Sequence, residues 1–250
     1  LAGLIDIVLI TTNWSRERLD ILSRTESYLV GSFAKKIMSV DMLPNGALGR
    51  EDFSIFAKNG WEVYFGEGGG RSGMVNNQLR GIKHATAEWL LLCEDDAPLL
   101  LFPDISTLEE GEINWLCYNC HLNDEDLLND YVQDRGSYLV SNGGVFMIKP
   151  VNLCDKWLLT FPASITKKSV ILALHEVAAR IAIGTSIEEG LSVAWRAGSF
   201  GNVAIYLNRE VLDNLHRITT SDLHKFANMR YWNNDESTRH GSVDKSCMWY

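Results

Sequence analysis

An alternation in the first hundred residues restricts the fold more than any other feature. Four short apolar runs rich in β-branched, leucine or aromatic residues are spaced along it, at 5–11, 37–40, 61–65 and 89–93. The first, Ile5-Asp6-Ile7-Val8-Leu9-Ile10-Thr11, is long enough for a strand buried on both faces, the habit of parallel strands. Between the runs lie helix-length segments. Thr12-Asn13-Trp14-Ser15 offers cap residues for a helix over 16–30, in which Leu19, Leu22 and Leu29 share a rough apolar stripe. A short helix is expected around 53–57 and a longer one over 74–87. Strands that alternate with helices predict an α/β domain with a mostly parallel sheet. A chain of 250 residues suits one large domain or two small ones.

Beyond Pro103 the pattern loosens. Strands are expected at 116–120, 138–140, 145–148 and 203–207, and helices at 171–183 and 191–197. Residues 121–134 read as an acidic surface loop or lid. The division expected is a domain over 1–232 and a polar tail over 233–250. The formal net charge of −9 argues against a general nucleic-acid binder. No apolar run reaches the ~18–20 residues of a membrane helix, and no basic n-region precedes the first strand. An odd count of five cysteines favours a reducing compartment. Together these predict a soluble, cytoplasmic protein without a transmembrane segment.

Chemistry is concentrated after the fourth apolar run, where Glu94-Asp95-Asp96 follows Trp89-Leu90-Leu91-Leu92-Cys93. Carboxylates that close repel one another, and a hard divalent cation relieves the repulsion through oxygen ligands. Ligands of open α/β sheets bind at the carboxyl ends of strands. The expectation is a metal site at a strand end with a phosphate-bearing substrate as second ligand; the plainer alternative is a solvated acidic turn. Gly68-Gly69-Gly70-Arg71-Ser72-Gly73 fits G-x-G-x-x-G between a strand and a helix. It follows the third strand, whereas a dinucleotide fingerprint follows the first, so a phosphate role is kept and a nicotinamide one set aside. Other local matches fail. Leu1-Ala2-Gly3-Leu4-Ile5-Asp6 opens like a homing-endonuclease signature, but Val8 stands where its next acid belongs and the segment reads as a strand. Cys117-Tyr118-Asn119-Cys120-His121 copies a haem attachment pattern without an export signal. His175-Glu176 lacks a second histidine at Ala179.

The order and spacing of several pieces resemble the GT-A nucleotide-sugar glycosyltransferases, in their family 2-like group. These pieces are the polar turn Thr11-Thr12-Asn13, the strand end Val40-Asp41, the run from Asn76-Asn77 to Glu94-Asp95-Asp96, Gly143-Gly144 before a strand, and Ile187-Glu188-Glu189-Gly190-Leu191. The resemblance implies a GT-A (nucleotide-diphospho-sugar transferase), Rossmann-like single domain with a mostly parallel central sheet. It implies metal-dependent, inverting transfer of a sugar from a nucleotide-diphosphate donor to an acceptor hydroxyl. Mn²⁺ or Mg²⁺ would be held by Glu94 and Asp96, with Asp96 the direct ligand and His216 completing the shell; His224 competes with His216. Asp95 would hold the ribose or a metal-bound water, while Thr11, Thr12, Asn13 and Asp41 contact base and ribose. Arg71 would pair with the nucleotide or its phosphates. Glu188 or Glu189 would be the general base, against a plain capping role at a helix start. The acceptor could be a glycan, a lipid-linked saccharide or a protein; a modified nucleic-acid base is disfavoured by the acidic total. The alternatives are a sugar-phosphate nucleotidyltransferase, whose basic glycine-rich signature near the first strand is absent, and a non-catalytic nucleotide- or sugar-binding module.

Overall fold

The run Ile5–Thr12 forms a strand, β1, whose first seven residues are buried. In the computed structural model it lies between two parallel neighbours, β2 (Lys35–Met42) and β4 (Trp89–Glu94). Burial on both faces explains why the centres of these strands are mostly apolar rather than strictly alternating. The residues described are 5–29, 33–68, 70–95, 108–109, 112–118, 137–142, 145–150, 163–181, 187–198 and 200–206.

Each link from strand to parallel strand carries helix. After β1 comes α1 (Arg16–Tyr28), capped by Ser15, whose Oγ accepts from the Arg18 N–H at 3.2 Å. After β2 come a 3₁₀ turn, Arg50–Phe53, and the short α2 (Ser54–Lys58). β3 (Trp61–Glu67) then pairs parallel with β2, and α3 (Gly70–His84) leads back to β4. The expected helix over 74–87 thus starts four residues early, inside the glycine-rich stretch, which therefore divides between a strand end and a first helical turn. Helix α3 can lie this close to the sheet because of Gly81, where a Cβ would stand 2.4 Å from Val8 Cγ1.

The second half adds β5 (Ile113–Tyr118), β6 (Ser137–Asn142), β7 (Val145–Pro150), β8 (Ala163–Lys167) and β9 (Asn202–Tyr206). Its described residues also include the helices α4 (Lys168–Ile181) and α5 (Ile187–Ala197). Among the described residues nine strands form one sheet in the order β3-β2-β1-β4-β8-β5-β9-β7-β6. The order 3-2-1-4 is that of a Rossmann half, so the expected α/β, Rossmann-like domain is what the chain builds. Every pair within that half is parallel. In the second half β5 pairs parallel with β9, while β8 runs antiparallel to both β4 and β5 and β7 antiparallel to β9 and β6. Strand β8 was not foreseen from the sequence. It is only five residues long, and its Ser164 and Thr166 are as fully buried as Ile165, so the polar residues that would suggest a solvent face are in fact inside. Thr166 satisfies its hydroxyl on the Asn114 carbonyl at 2.9 Å.

Two apolar clusters cover the two faces. One packs Val8, Ile37, Leu90 and Leu92 against α3, α4 and α5. The other packs Ile7, Leu9, Met38, Val40 and Leu91 against α1 and Phe53 and Phe56. Side chains alternate along a strand, so this division assigns every later residue to a face. No helix among the described residues is long and apolar enough to cross a membrane.

Candidate active site

Three adjacent parallel strands, β2, β1 and β4, end together at the carboxyl edge of the sheet. Across β1 and β2, Thr12 pairs with Asp41; across β1 and β4, Ile10 pairs with Glu94; across β2 and β3, Asp41 pairs with Gly66. Alternation puts Thr12, Asp41 and Glu94 on the α3–α4–α5 face, in register with Val8, Ile37 and Leu92. Thr11 and Asp95 fall on the α1 face with Leu9 and Leu91. Glu94 and Asp95, consecutive in sequence, therefore diverge in space.

Asp95 is fully buried. Its Oδ2 accepts from Thr11 Oγ1 at 2.5 Å and from Arg18 Nε at 2.8 Å, and its Oδ1 takes a second bond from Arg18 Nη2. The Thr25 hydroxyl donates to the Asp95 backbone carbonyl at 2.6 Å. The role expected for Asp95, on a ribose or a metal-bound water, asks for oxygens that here already serve Arg18 and Thr11. Thr11 likewise spends its hydroxyl on Asp95. Asn13 is similarly committed: Oδ1 accepts the Leu43 N–H at 2.7 Å, and Nδ2 donates to the carbonyls of Leu48 at 3.1 Å and Leu43 at 3.4 Å. It staples the 43–48 loop beside the strand end, and the loop approaches so closely that a Cβ on Gly46 would overlap the Asn13 amide.

Asp41 is different. It is 4% exposed, and Arg80 of α3 holds its Oδ1 at 3.1 Å. Burial pushes the Asp41 carboxyl up to about 7, a rise that the Arg80 guanidinium only partly opposes. Arg80 is itself fixed, donating from Nη1 to Ser39 Oγ, to the Val40 carbonyl and to Asn77 Oδ1 at 3.0–3.2 Å. Asn77 in turn donates to the Thr11 carbonyl at 3.0 Å. Glycine lets this seam close tightly. A Cβ at Gly66 would meet Arg80 Nη2 at 2.0 Å, and one at Gly68 would meet Asp41 Cβ at 2.6 Å. Gly73 faces the other oxygen, its notional Cβ lying 3.5 Å from Asp41 Oδ2. The glycines thus let β3 and the start of α3 close over Asp41.

The remaining expected residues divide as follows. Glu94 is the last residue of β4, 6% exposed, on the Asp41 face. Glu188 and Glu189 lie in the first turn of α5, the helix whose Leu191, Ala194 and Trp195 pack on that same face. Arg71 is in the first turn of α3. Asp96, His216, His224 and the polar tail lie outside the described residues. As a cation site the edge offers Glu94, a carboxylate suited to a hard ion; among the described residues no group of three or more His, Cys, Asp or Glu is gathered closely enough to hold a metal. Sequence reasoning missed Arg18, Thr25, Asn77 and Arg80. Only the i, i+3 spacing of Asn77 and Arg80 on one helix face hinted at a pair.

No family model and no curated protein sequence matches the chain. Among solved structures, the chain is similar to residues 1–349 of Staphylococcus aureus TarS, with TM-score 0.48 and 12% identity over 82% of this chain and 58% of that one. It thus spans less than two thirds of that TarS chain. A structure of the same TarS segment in complex with UDP-GlcNAc gives TM-score 0.41 and 12% identity, over 82% of this chain and 56% of that one. The 4-diphosphocytidyl-2C-methyl-D-erythritol synthase of Anaerococcus prevotii gives TM-score 0.46 and 11% identity, over 88% and 98%.

Proposed function

We propose that the chain is a metal-dependent glycosyltransferase that moves a sugar from a nucleotide-diphosphate donor to an acceptor hydroxyl, with inversion. The observation that carries this reading is the convergence of Thr12, Asp41 and Glu94 on one face at the ends of three neighbouring parallel strands. Glycines close over that edge, and α5 brings Glu188 and Glu189 to the same side of the sheet. Asp41 would meet the donor's base or ribose. Its raised pKa lets it donate as well as accept a hydrogen bond near neutrality. Arg71, at the start of α3, would pair with the phosphates. Glu94, with Asp96, would hold Mn²⁺ or Mg²⁺; when bound, that ion supplies Lewis-acid stabilisation of a departing diphosphate. Glu188 or Glu189 would take the proton of the attacking hydroxyl. The domain would run over 1–232, with His216 near the ion.

The test is a thermal-shift panel of UDP-, GDP-, CDP- and dTDP-sugars with and without Mn²⁺. A donor at about 100 times its Kd stabilises by ~2.7 kcal/mol, roughly 5–10 °C for a domain of this size. If no nucleotide sugar raises the melting temperature, the reading fails. A sugar-phosphate nucleotidyltransferase would use the same strand ends, and release of pyrophosphate from a nucleoside triphosphate and a sugar phosphate would identify it instead.

A further inference from the structure

We propose that Arg18 is a positioning residue for this edge, acting through Asp95 from the opposite face of the sheet; the proposal rests on the reading of the edge as the donor site. Arg18 and Asp95 side chains are 4% and 1% exposed. Stability alone is a poor reason for such a pair, since well-packed apolar residues of similar size commonly serve as well or better. What the pair supplies is orientation. Two bonds from one planar guanidinium fix a carboxylate in angle as well as distance, and here Nε and Nη2 engage both Asp95 oxygens. Thr11 Oγ1 holds the same carboxylate and Thr25 holds the backbone carbonyl, so side chain and main chain of Asp95 are both tied to the α1 side.

The consequence reaches Glu94. Neighbouring strand residues point to opposite faces, so pinning Asp95 on the α1 face pins Glu94 on the Asp41 face. β4 ends at Glu94, and at Asp95 the backbone carbonyl is held by the Thr25 hydroxyl rather than by a neighbouring strand. A half-turn there would exchange the two acids. The same hydrogen bonds continue to the other side of the edge: Asp95 to Thr11, the Thr11 carbonyl to Asn77, Asn77 to Arg80, and Arg80 to Asp41. Arg18 thus stands at one end of a chain whose other end is the base-facing acid.

The experiment uses the full chain in three forms: wild type, Arg18→Met/Asp95→Leu, and Arg18→Lys. The double variant removes both buried charges at similar volume, and is expected to unfold cooperatively near the wild-type temperature. Amide hydrogen exchange at 93–95 should nonetheless rise about tenfold or more, since opening there no longer breaks the anchor. Affinity for UDP, GDP and CDP with Mn²⁺ should fall about 10–100-fold, the usual cost of losing a residue that orients a metal-binding group. Arg18→Lys, with charge but no fork, should lie between. Should the double variant not fold, Thr25→Val replaces it, with the same two changes at smaller size. Unchanged exchange at 93–95 overturns the proposal, as does unchanged affinity where the wild type binds. Raised exchange in a protein whose wild type binds no nucleoside diphosphate upholds the anchor and sinks the donor-site reading.

Discussion

Acid should weaken this fold through His175, and the size of the effect follows from where that ring sits. His175 lies on α4, 7% exposed, with Nε2 2.7 Å from Oε1 of Gln78 on α3. Burial pushes its pKa down from 6.5 to about 4. Between those values the unfolded chain binds a proton that the native ring refuses. The contribution is therefore intact above pH 6.5 and drains away as pH falls toward 4. At about 1.36 kcal/mol per unit, the loss is roughly 2 kcal/mol by about pH 5 and roughly 3 kcal/mol at the bottom of the window. Asp41 works the other way. Its carboxyl is raised from 3.8 to about 7, so its contribution is greatest at low pH and is lost as pH rises through 7. The two overlap, and the wild-type profile alone will look flatter than either. His175→Gln separates them, because it keeps a donor for Gln78, cannot ionise, and leaves Asp41 untouched. Urea unfolding at about pH 7.5 and about pH 5 gives the stability gap between variant and wild type at each pH, at a common m-value. The gap should move by about 2 kcal/mol in favour of His175→Gln on acidification. A gap constant to within about 0.5 kcal/mol would show that the ring is not desolvated as the packing of α3 on α4 implies.

Other outcomes follow from the same geometry. Asp41→Asn should gain stability relative to wild type as pH rises from about 5.5 to about 8, since only the wild type must charge a buried carboxyl; thermal unfolding of both across that range checks the sign. Gly81→Ala, whose Cβ would sit 2.4 Å from Val8 Cγ1, should cost about 1–3 kcal/mol, read as a lower melting temperature and partly restored by Val8→Ala. If the chain transfers a sugar as proposed, either Glu188→Gln or Glu189→Gln should lower kcat about 10²–10⁴-fold with donor affinity kept; steady-state kinetics of the two variants identify the base, and no loss in either removes the proposed role from both.

Much of the first half was legible because parallel strands buried on both faces are mostly apolar, and 5–11, 37–40 and 89–93 are, apart from Asp6, Thr11 and Ser39. The second half was harder to read. β8 buries Ser164 and Thr166 beside Ile165, and a short strand whose polar residues are satisfied by neighbours met only in the fold gives too little apolar signal to be read. At the site, the sequence marked Asp41 and the glycines near it, yet it presented Glu94, Asp95 and Asp96 as one cluster.

The local order of residues was enough to determine the βαβ alternation, the strand ends where chemistry collects and the residue types found there. It could not apportion those residues, because which polar group is spent on structure depends on partners far away in the chain. Asp95 is answered by Arg18 and Thr25, 77 and 70 residues away, and Asp41 by Arg80, 39 residues away. Strand pleating then sends one acid to α1 and its neighbour to the Asp41 face. Only packing decides such a division, since it is packing that chooses which side of the sheet each helix covers.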